Sequence, residues 1–415
     1  MEFTALTKAE YAEFEKQSPL GSMTQSVEQY DLLQGRGKNV HILGVKDIDG
    51  TILAGSIVTF DGINGGTVAS VNHGPLMNYS DTGVLDTYLK GLANFAKQFN
   101  GLYIKFSPNV VYQRFDNHGN PVTEPETDFI ARLEKHGAKH MPFKKGMSTD
   151  GSMPWQYSKD LRSLDLDSLI ASYQPDVKYY LKKNKQFGVK FRELPFEELP
   201  KFKKLTADTA ERRGFDDKEL SFYEVLFNTY GDDAHFTVAE VNFPNYLAEE
   251  QATIDQLDVK INTLAERLAV KETKKNRGQF NEFTDQKNMH IKRMKRVNDL
   301  FNGDIPTEPT IVAGALFVEQ PQEMAYMFSG MYDEYREYFA PYLIQDTMMR
   351  MAIEHNIPTH NFYGISGDFD GSDGVFRFKT EFNGTADQLV GEFEYPINKM
   401  KYRLYKLMKK LLGRA

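Results

Sequence analysis

The chain has 415 residues, no cysteine, 40% hydrophobic and 26% charged residues and a net charge of −8. This is too apolar for a disordered chain and long enough for two or three domains. The missing cysteine excludes disulfide scaffolds, thiolate metal sites and cysteine nucleophiles.

The opening Met1-Glu2-Phe3-Thr4 has no basic n-region, and no apolar stretch follows it. With no apolar run near the roughly 20 residues of a spanning helix, the expectation is a cytoplasmic protein. His41-Ile42-Leu43-Gly44-Val45-Lys46 and Thr51-Ile52-Leu53-Ala54-Gly55-Ser56 flank Asp49-Gly50. That pattern predicts a hairpin closed by a tight turn. Residues 88–99 predict an amphipathic helix stopped by Asn100-Gly101, with a strand over 102–106.

The same grammar returns later. His235-Phe236-Thr237-Val238 predicts a first strand, and Thr310-Ile311-Val312-Ala313-Gly314 nearly copies 51–55. Residues 345–355 then predict a helix, followed by the strand Asn361-Phe362-Tyr363. Two similar α/β units related by duplication are therefore expected. A long insertion separates the two strands of the second hairpin. Within it, Leu247, Ile254, Leu257, Ile261, Leu264 and Leu268 form a heptad seam. A polar, glycine-bearing turn over 271–278 leads to a second seam of Phe280, Phe283, Met294, Val297 and Phe301. An antiparallel coiled-coil arm is predicted.

Two stretches are basic without any acid, 178–192 and 399–415, and each predicts an anionic partner at a defined surface. In the second, Met400, Leu404, Leu407, Met408, Leu411 and Leu412 share one helical face among lysines and arginines. Such a helix either lies on an anionic membrane surface or docks its stripe on the body.

Standard catalytic motifs are missing: there is no P-loop, no strand-led Gly-x-Gly-x-x-Gly, no His-Glu-x-x-His and no Gly-x-Ser-x-Gly. His136 and His140 stand four apart, as two ligands on one helix face would, but no third ligand has a recognisable spacing. One segment is dense in site-forming residues, 361–379. It reads as a strand that breaks into a Gly/Asp-rich loop and resumes with Arg377 and Lys379 on one face and Phe376 and Phe378 on the other. A lysine beside phenylalanines suits a partly desolvated cation facing an oxyanion; an exposed edge lysine is the plainer reading.

Almost the whole chain resembles the FemABX family of peptidoglycan-bridge aminoacyltransferases, in its arm-bearing subgroup. The resemblance rests on the opening Met1-Glu2-Phe3-Thr4-Ala5-Leu6-Thr7, Thr24-Gln25-Ser26-Val27, Asn72-His73-Gly74-Pro75, Phe187-Gly188-Val189-Lys190, Asn361-Phe362-Tyr363-Gly364, Phe376-Arg377-Phe378-Lys379 and Phe382-Asn383-Gly384. It implies an α/β fold of two acetyltransferase-like (GNAT-like) units with the inserted arm. The expected organisation is a first unit over 1–150, a second over 151–245 and 308–396, the arm over 246–307 and a basic amphipathic helix over 397–415.

The implied activity is transfer of glycine, alanine or serine from aminoacyl-tRNA to the stem-peptide amine of a lipid-linked peptidoglycan precursor. The implied place is the inner face of the cell membrane, with related Fem-type enzymes as possible company and no cofactor. Residue by residue, the resemblance makes Phe378 and Lys379 the catalytic pair. It places Lys218, Phe222, Tyr223, Tyr103, Phe328, Tyr363, Arg36 and Lys38 around the precursor. Lys178, Lys182, Lys183 and Lys185 are the expected tRNA contacts. The family's first-unit lysine falls on Leu33, with Arg36 and Lys38 close by, and its Asp-Pro after the first unit's strand is Ser107-Pro108.

An aminoacyl ester is already activated, so proximity and oxyanion stabilisation can drive such a transfer without a protein nucleophile. The competing classes are a CoA-dependent N-acetyltransferase, which would need a Gln/Arg-x-x-Gly-x-Gly/Ala loop that the chain lacks, and a noncatalytic coiled-coil adaptor.

Overall fold

A computed structural model describes residues 1–146, 153–214 and 216–411. The first half runs β1 (Glu2–Ala5), α1 (Lys8–Gln17), α2 (Val27–Gly35), β2 (Val40–Lys46), β3 (Ile52–Ile63), β4 (Gly66–Asn72), β5 (Leu76–Met77), α3 (Thr82–Ala96), β6 (Gly101–Ser107), β7 (Val111–Phe115), α4 (Thr127–Lys135) and β8 (Lys139–His140). There follow β9 (Trp155–Asp160), α5 (Leu166–Ser172), α6 (Pro175–Gln186), β10 (Lys190–Glu193), α7 (Leu199–Arg213), α8 (Leu220–Tyr230), β11 (Ala234–Val241), α9 (Phe243–Val270) and α10 (Lys274–Leu300). The chain closes with β12 (Thr310–Glu319), β13 (Met324–Met331), α11 (Ala340–Glu354), β14 (Thr359–Gly364), α12 (Gly374–Thr380), β15 (Thr385–Leu389), β16 (Phe393–Pro396) and α13 (Lys399–Leu411).

The duplication is explicit in the sheets. In the first unit β1, β2, β3 and β4 pair antiparallel in turn, and β4 pairs parallel with β6 after the crossover helix α3. In the second, β10, β11, β12 and β13 do the same, and α11 carries the chain to β14, parallel to β13. The repeated Ala-Gly has one physical cause. A Cβ on Gly55 would lie 2.9 Å from Tyr11 of α1, and one on Gly314 would lie 2.8 Å from Leu205 of α7. In both units a helix packs so closely on the second hairpin strand that only glycine fits there.

The units exchange strands. The C-terminal β16 pairs with β6 in the first sheet, while β7 pairs with β15 in the second. The expected boundaries, 1–150 and 308–396, put each of these strands in the other unit. Short strands carry too little pattern to reveal their partner. The junction at 150/151 lies outside the described residues.

Each unit has its own core. In the first, α3 turns Val84, Leu85, Tyr88, Leu89 and Leu92 onto Leu43, Val58 and Ile104 at three- and four-residue spacing. In the second, α11 sets Ile344, Met348 and Met349 against Phe317 and Phe362. On the opposite face of that sheet, α7 and α8 cover Phe236 and Leu316 with Phe202 and Tyr223. Met23 and Leu32 of the first unit join this cluster, and Gln322 Nε2 donates to the carbonyls of Glu15, Lys16 and Ser18. Each fully buried Leu or Phe here is worth about 1.5–3 kcal/mol.

Three expectations shift locally. The first hairpin closes through five residues rather than a two-residue turn, because Asp47 Oδ1 accepts from the amides of Asp49 and Thr51. The insertion is an antiparallel helix pair, as Asp258–Lys287 and Glu250–His290 pairs show, at 2.6 and 2.7 Å. Its helices run longer than predicted: α9 starts at Phe243, and Gly278 lies inside α10, which Thr273 caps. The third correction concerns 376–379, which is the helix α12 rather than a strand. Asp373 Oδ1 accepts from the amides of Val375 and Phe376, and this N-cap overrides the strand-like alternation.

No helix among the described residues is long and apolar enough to cross a membrane.

Candidate active site

The two units differ where the parallel strands meet. In the first, β4 and β6 stay paired from Thr67 to Asn72. In the second, β13 and β14 pair only at Met324–His360 and Ala325–Asn361 and then part. The gap is a cavity of about 390 Å³ lined by Thr209, Gly330, Pro341, Tyr363, Phe378 and Lys379, among others.

Lys379 is the chemical centre of this cavity. It is only 3% exposed, so the expectation of an exposed edge lysine fails. Its Nζ donates to the carbonyl of Gly364 at 2.6 Å and to that of Tyr363 at 3.3 Å. Burial lowers its pKa to about 7, against a smaller opposing pull from Asp373. An ammonium has three protons. Two are engaged by these carbonyls and the third is left for a group in the cavity.

The backbone that supplies the carbonyls is strained. Tyr363 has φ +64°, and the β14–β9 register slips between Asn361 and Tyr363. Asn361 Oδ1 holds the turn by accepting from the Tyr363 amide at 2.8 Å. A bulky residue in the left-handed region costs of order 1–3 kcal/mol and persists where surrounding structure enforces it. Here it aims two successive carbonyls at one amine. Phe378 lines the cavity and packs on Tyr342 and Phe382 at 5.1 and 5.5 Å.

A second cluster lies on the α8 side of β13. Arg36, at the end of α2, sets its guanidinium 4.9 Å from the Phe222 ring, and Lys218 Nζ lies 5.8 Å from the same ring. Phe222 packs edge-on against Tyr223 at 5.5 Å and Phe328 at 5.7 Å. Tyr223 is buried and donates to Asp217 Oδ1 at 3.0 Å. Tyr363 packs against this same cluster and lines the Lys379 cavity. Two cations from different units thus converge on one ring, and the aromatic cluster leads from them to the lysine.

The structure does not bring every expected residue here. Leu33 packs with the α1–α2 core, and of the two nearby cations Arg36 reaches the cluster. Lys38 instead pairs with Asp61 at 2.9 Å. Tyr103 is covered by α13, with Tyr402 and Tyr405 at 5.5 and 5.9 Å. It therefore belongs to the seat of that helix. Lys178 donates to the Ala171 carbonyl and Lys183 to Gln186, while Lys182 and Lys185 of α6 are exposed. His136 and His140 have separate partners, Asp86 and the Val390 carbonyl.

Arg212 and Arg213 are not among the residues that the sequence marks for the site. Both line the Lys379 cavity; Arg212 is held by Asp333 and the Met331 carbonyl. Arg212 closes the run Ala210-Glu211-Arg212, and nothing in its spacing marks it as facing the cavity.

This arrangement, a duplicated α/β fold with a lysine cavity between parting strands of its second unit, has known relatives. Residues 6–410 match the FemAB family, and the chain belongs to it. A protein named aminoacyltransferase FemA from Staphylococcus epidermidis (strain ATCC 35984) is 29% identical over 99% of this chain and 100% of its own length. A protein of the same name from Staphylococcus aureus (strain bovine RF122) is 29% identical over the whole of both chains. Among solved structures, the crystal structure of FemX superposes with a TM-score of 0.79 at 22% identity, covering 97% of this chain and 99% of that one.

Proposed function

We propose that this FemAB-family aminoacyltransferase moves glycine, alanine or serine from aminoacyl-tRNA to the stem-peptide amine of a lipid-linked peptidoglycan precursor. The observation that carries the reading is Lys379, an amine buried between parting strands with one proton free for the cavity. The precursor amine attacks the ester carbonyl, the carbonyl oxygen takes negative charge, and the Lys379 ammonium stabilises it. The ester C–O bond then breaks. The RNA hydroxyl leaves with a proton that the amine gives up. No covalent enzyme intermediate is required, because the ester is already activated and the second unit only has to hold the two partners together.

Arg36 and Lys218 form the grip for the precursor's phosphates. The Phe222–Tyr223–Phe328 cluster then guides its peptide toward Lys379. At the Lys218 position a lysine acts as a point charge rather than a bidentate fork.

The acceptor's lipid anchor calls for a bilayer surface, and α13 has the chemistry for one. Tyr402 and Lys406 anchor it to the buried Glu394. The face carrying Met400, Leu404, Leu407, Met408 and Leu411 is left 48–81% exposed, with lysines and an arginine around it. Of the two readings of the stripe, docking on the body thus has no support over the described residues; Leu412 and Arg414 lie outside them. Each Lys or Arg near anionic lipid adds about 1 kcal/mol of attraction.

The test is a transfer assay with lipid-linked precursor, unbranched or singly branched, and tRNA charged separately with labelled glycine, alanine or serine. Label entering the precursor from one of them supports the proposal. No label from any, with acetyl-CoA consumed in a parallel reaction, overturns it.

A further inference from the structure

A second cavity, of about 350 Å³, lies where α6, α10 and the segment leading into α11 meet. Its lining includes Tyr179, Lys183, Lys292, Arg293, Arg296 and Phe339. Two of these cations are matched by carboxylates, Arg296 by Glu337 and Arg293 by Glu250. The other two are not. Lys183 donates to the neutral Gln186 and sits 5.4 Å over the Tyr179 ring, and Lys292 is exposed; neither has an ion pair among the described residues. Tyr179 is 52% exposed, a large share for an aromatic ring.

This cavity adjoins the one holding Lys379. Phe339 lines the first and Pro341 the second, and two residues of chain span no more than about 7 Å. Rings also connect them. Phe378 lies 5.1 Å from Tyr342, Tyr342 4.5 Å from Tyr180, and Tyr180 stacks on Phe339 at 4.3 Å. Phosphates seek unpaired cations, and unpaired bases seek exposed rings; a single-stranded RNA needs both within a few ångströms. The precursor's phosphates have a different grip, at Arg36 and Lys218 on the α8 side.

We infer that this cavity at the foot of the α9–α10 helix pair holds the unpaired nucleotides that precede the acylated end of the donor RNA. The inference rests on the RNA-donor reading above and gives it a location. With the ester carbonyl at Lys379, the preceding nucleotide passes the first turn of α11. Its base stacks at Tyr179, and its phosphate meets Lys183 and Lys292.

The experiment measures binding of the full-length protein to two uncharged RNA hairpins by fluorescence anisotropy, one with an unpaired 3′ tail and one blunt, over a range of salt. Wild type should prefer the tailed hairpin. Tyr179→Ala should weaken tailed binding by on the order of five- to hundred-fold. Lys183→Ala with Lys292→Ala should reduce the salt slope for the tailed RNA by about 0.7, the value for the one single-strand phosphate that the two lysines share. Unchanged thermal melts would show that these surface variants fold. Variants that bind the tailed hairpin like wild type, or lose tailed and blunt binding equally, would overturn the inference while leaving RNA as the donor. Wild type that binds neither hairpin would overturn the donor reading as well.

Discussion

Replacing Lys379 by Met separates catalysis from stability, because the two should move in opposite directions. A lysine at the ordinary 10.5 when unfolded and about 7 when folded binds more protons unfolded over the interval between those values. Stability therefore rises with pH from about 7 to 10.5, and the penalty for the buried ammonium is complete below 7. At pH 7.5 it is about 4 kcal/mol. Methionine fills similar space without charge but leaves the carbonyls of Tyr363 and Gly364 without their donor, at about 1 kcal/mol each. Lys379→Met should thus be about 2 kcal/mol more stable than wild type at pH 7.5, and the gain should fall to about nothing by about pH 9. Its transfer rate should drop by roughly 10²–10³, the usual loss for one oxyanion donor. Urea unfolding at both pH values and the transfer assay check this. A variant that is destabilised at pH 7.5, or that transfers at the wild-type rate, refutes the reasoning.

Lys379→Arg keeps a positive charge that does not titrate. The wild-type kcat/KM profile should decline as pH rises through about 7, the Lys379 value in the free protein, and that limb should vanish in the arginine variant even if its overall rate is low. Lys218→Ala should raise KM for the precursor by about tenfold with little change in kcat, as loss of a phosphate contact made equally in ground and transition states. Leu404→Glu with Leu407→Glu alters side chains that touch solvent. Its melting temperature should match wild type, while cosedimentation with anionic vesicles should be lost; retained cosedimentation would remove α13 from the membrane surface.

The duplicated fold was readable because it rests on a local necessity. Thr-Ile-x-Ala-Gly recurs since α1 and α7 each press on the glycine of the second hairpin strand. The helix pair was readable because its heptad spacing is the packing itself. What stayed hidden depends on contacts between distant residues. Strands as short as β7 and β16 do not name their partners, so their exchange between sheets could not be inferred. Phe376-Arg377-Phe378-Lys379 alternates like a strand, yet Asp373, three residues upstream, caps it as a helix. The Asp373-Gly374 pair was the available signal. Tyr103 sits in a strand position that suits a substrate contact, but α13, some 300 residues on, occupies it. The ring series through Tyr180, Phe339 and Tyr342 joins segments whose adjacency only the packing of α6 on α11 creates.

Direct transfer from an RNA ester to a precursor amine beside Lys379 has one kinetic signature. A single-turnover quench, with enzyme in excess over tRNA carrying a labelled amino acid, tests it most directly. Label should pass from RNA to precursor in one phase, with none bound to protein at any time, and Lys379→Met should slow that phase. Label that accumulates on the protein and then chases into the precursor, or that leaves the RNA only as free amino acid, would contradict it.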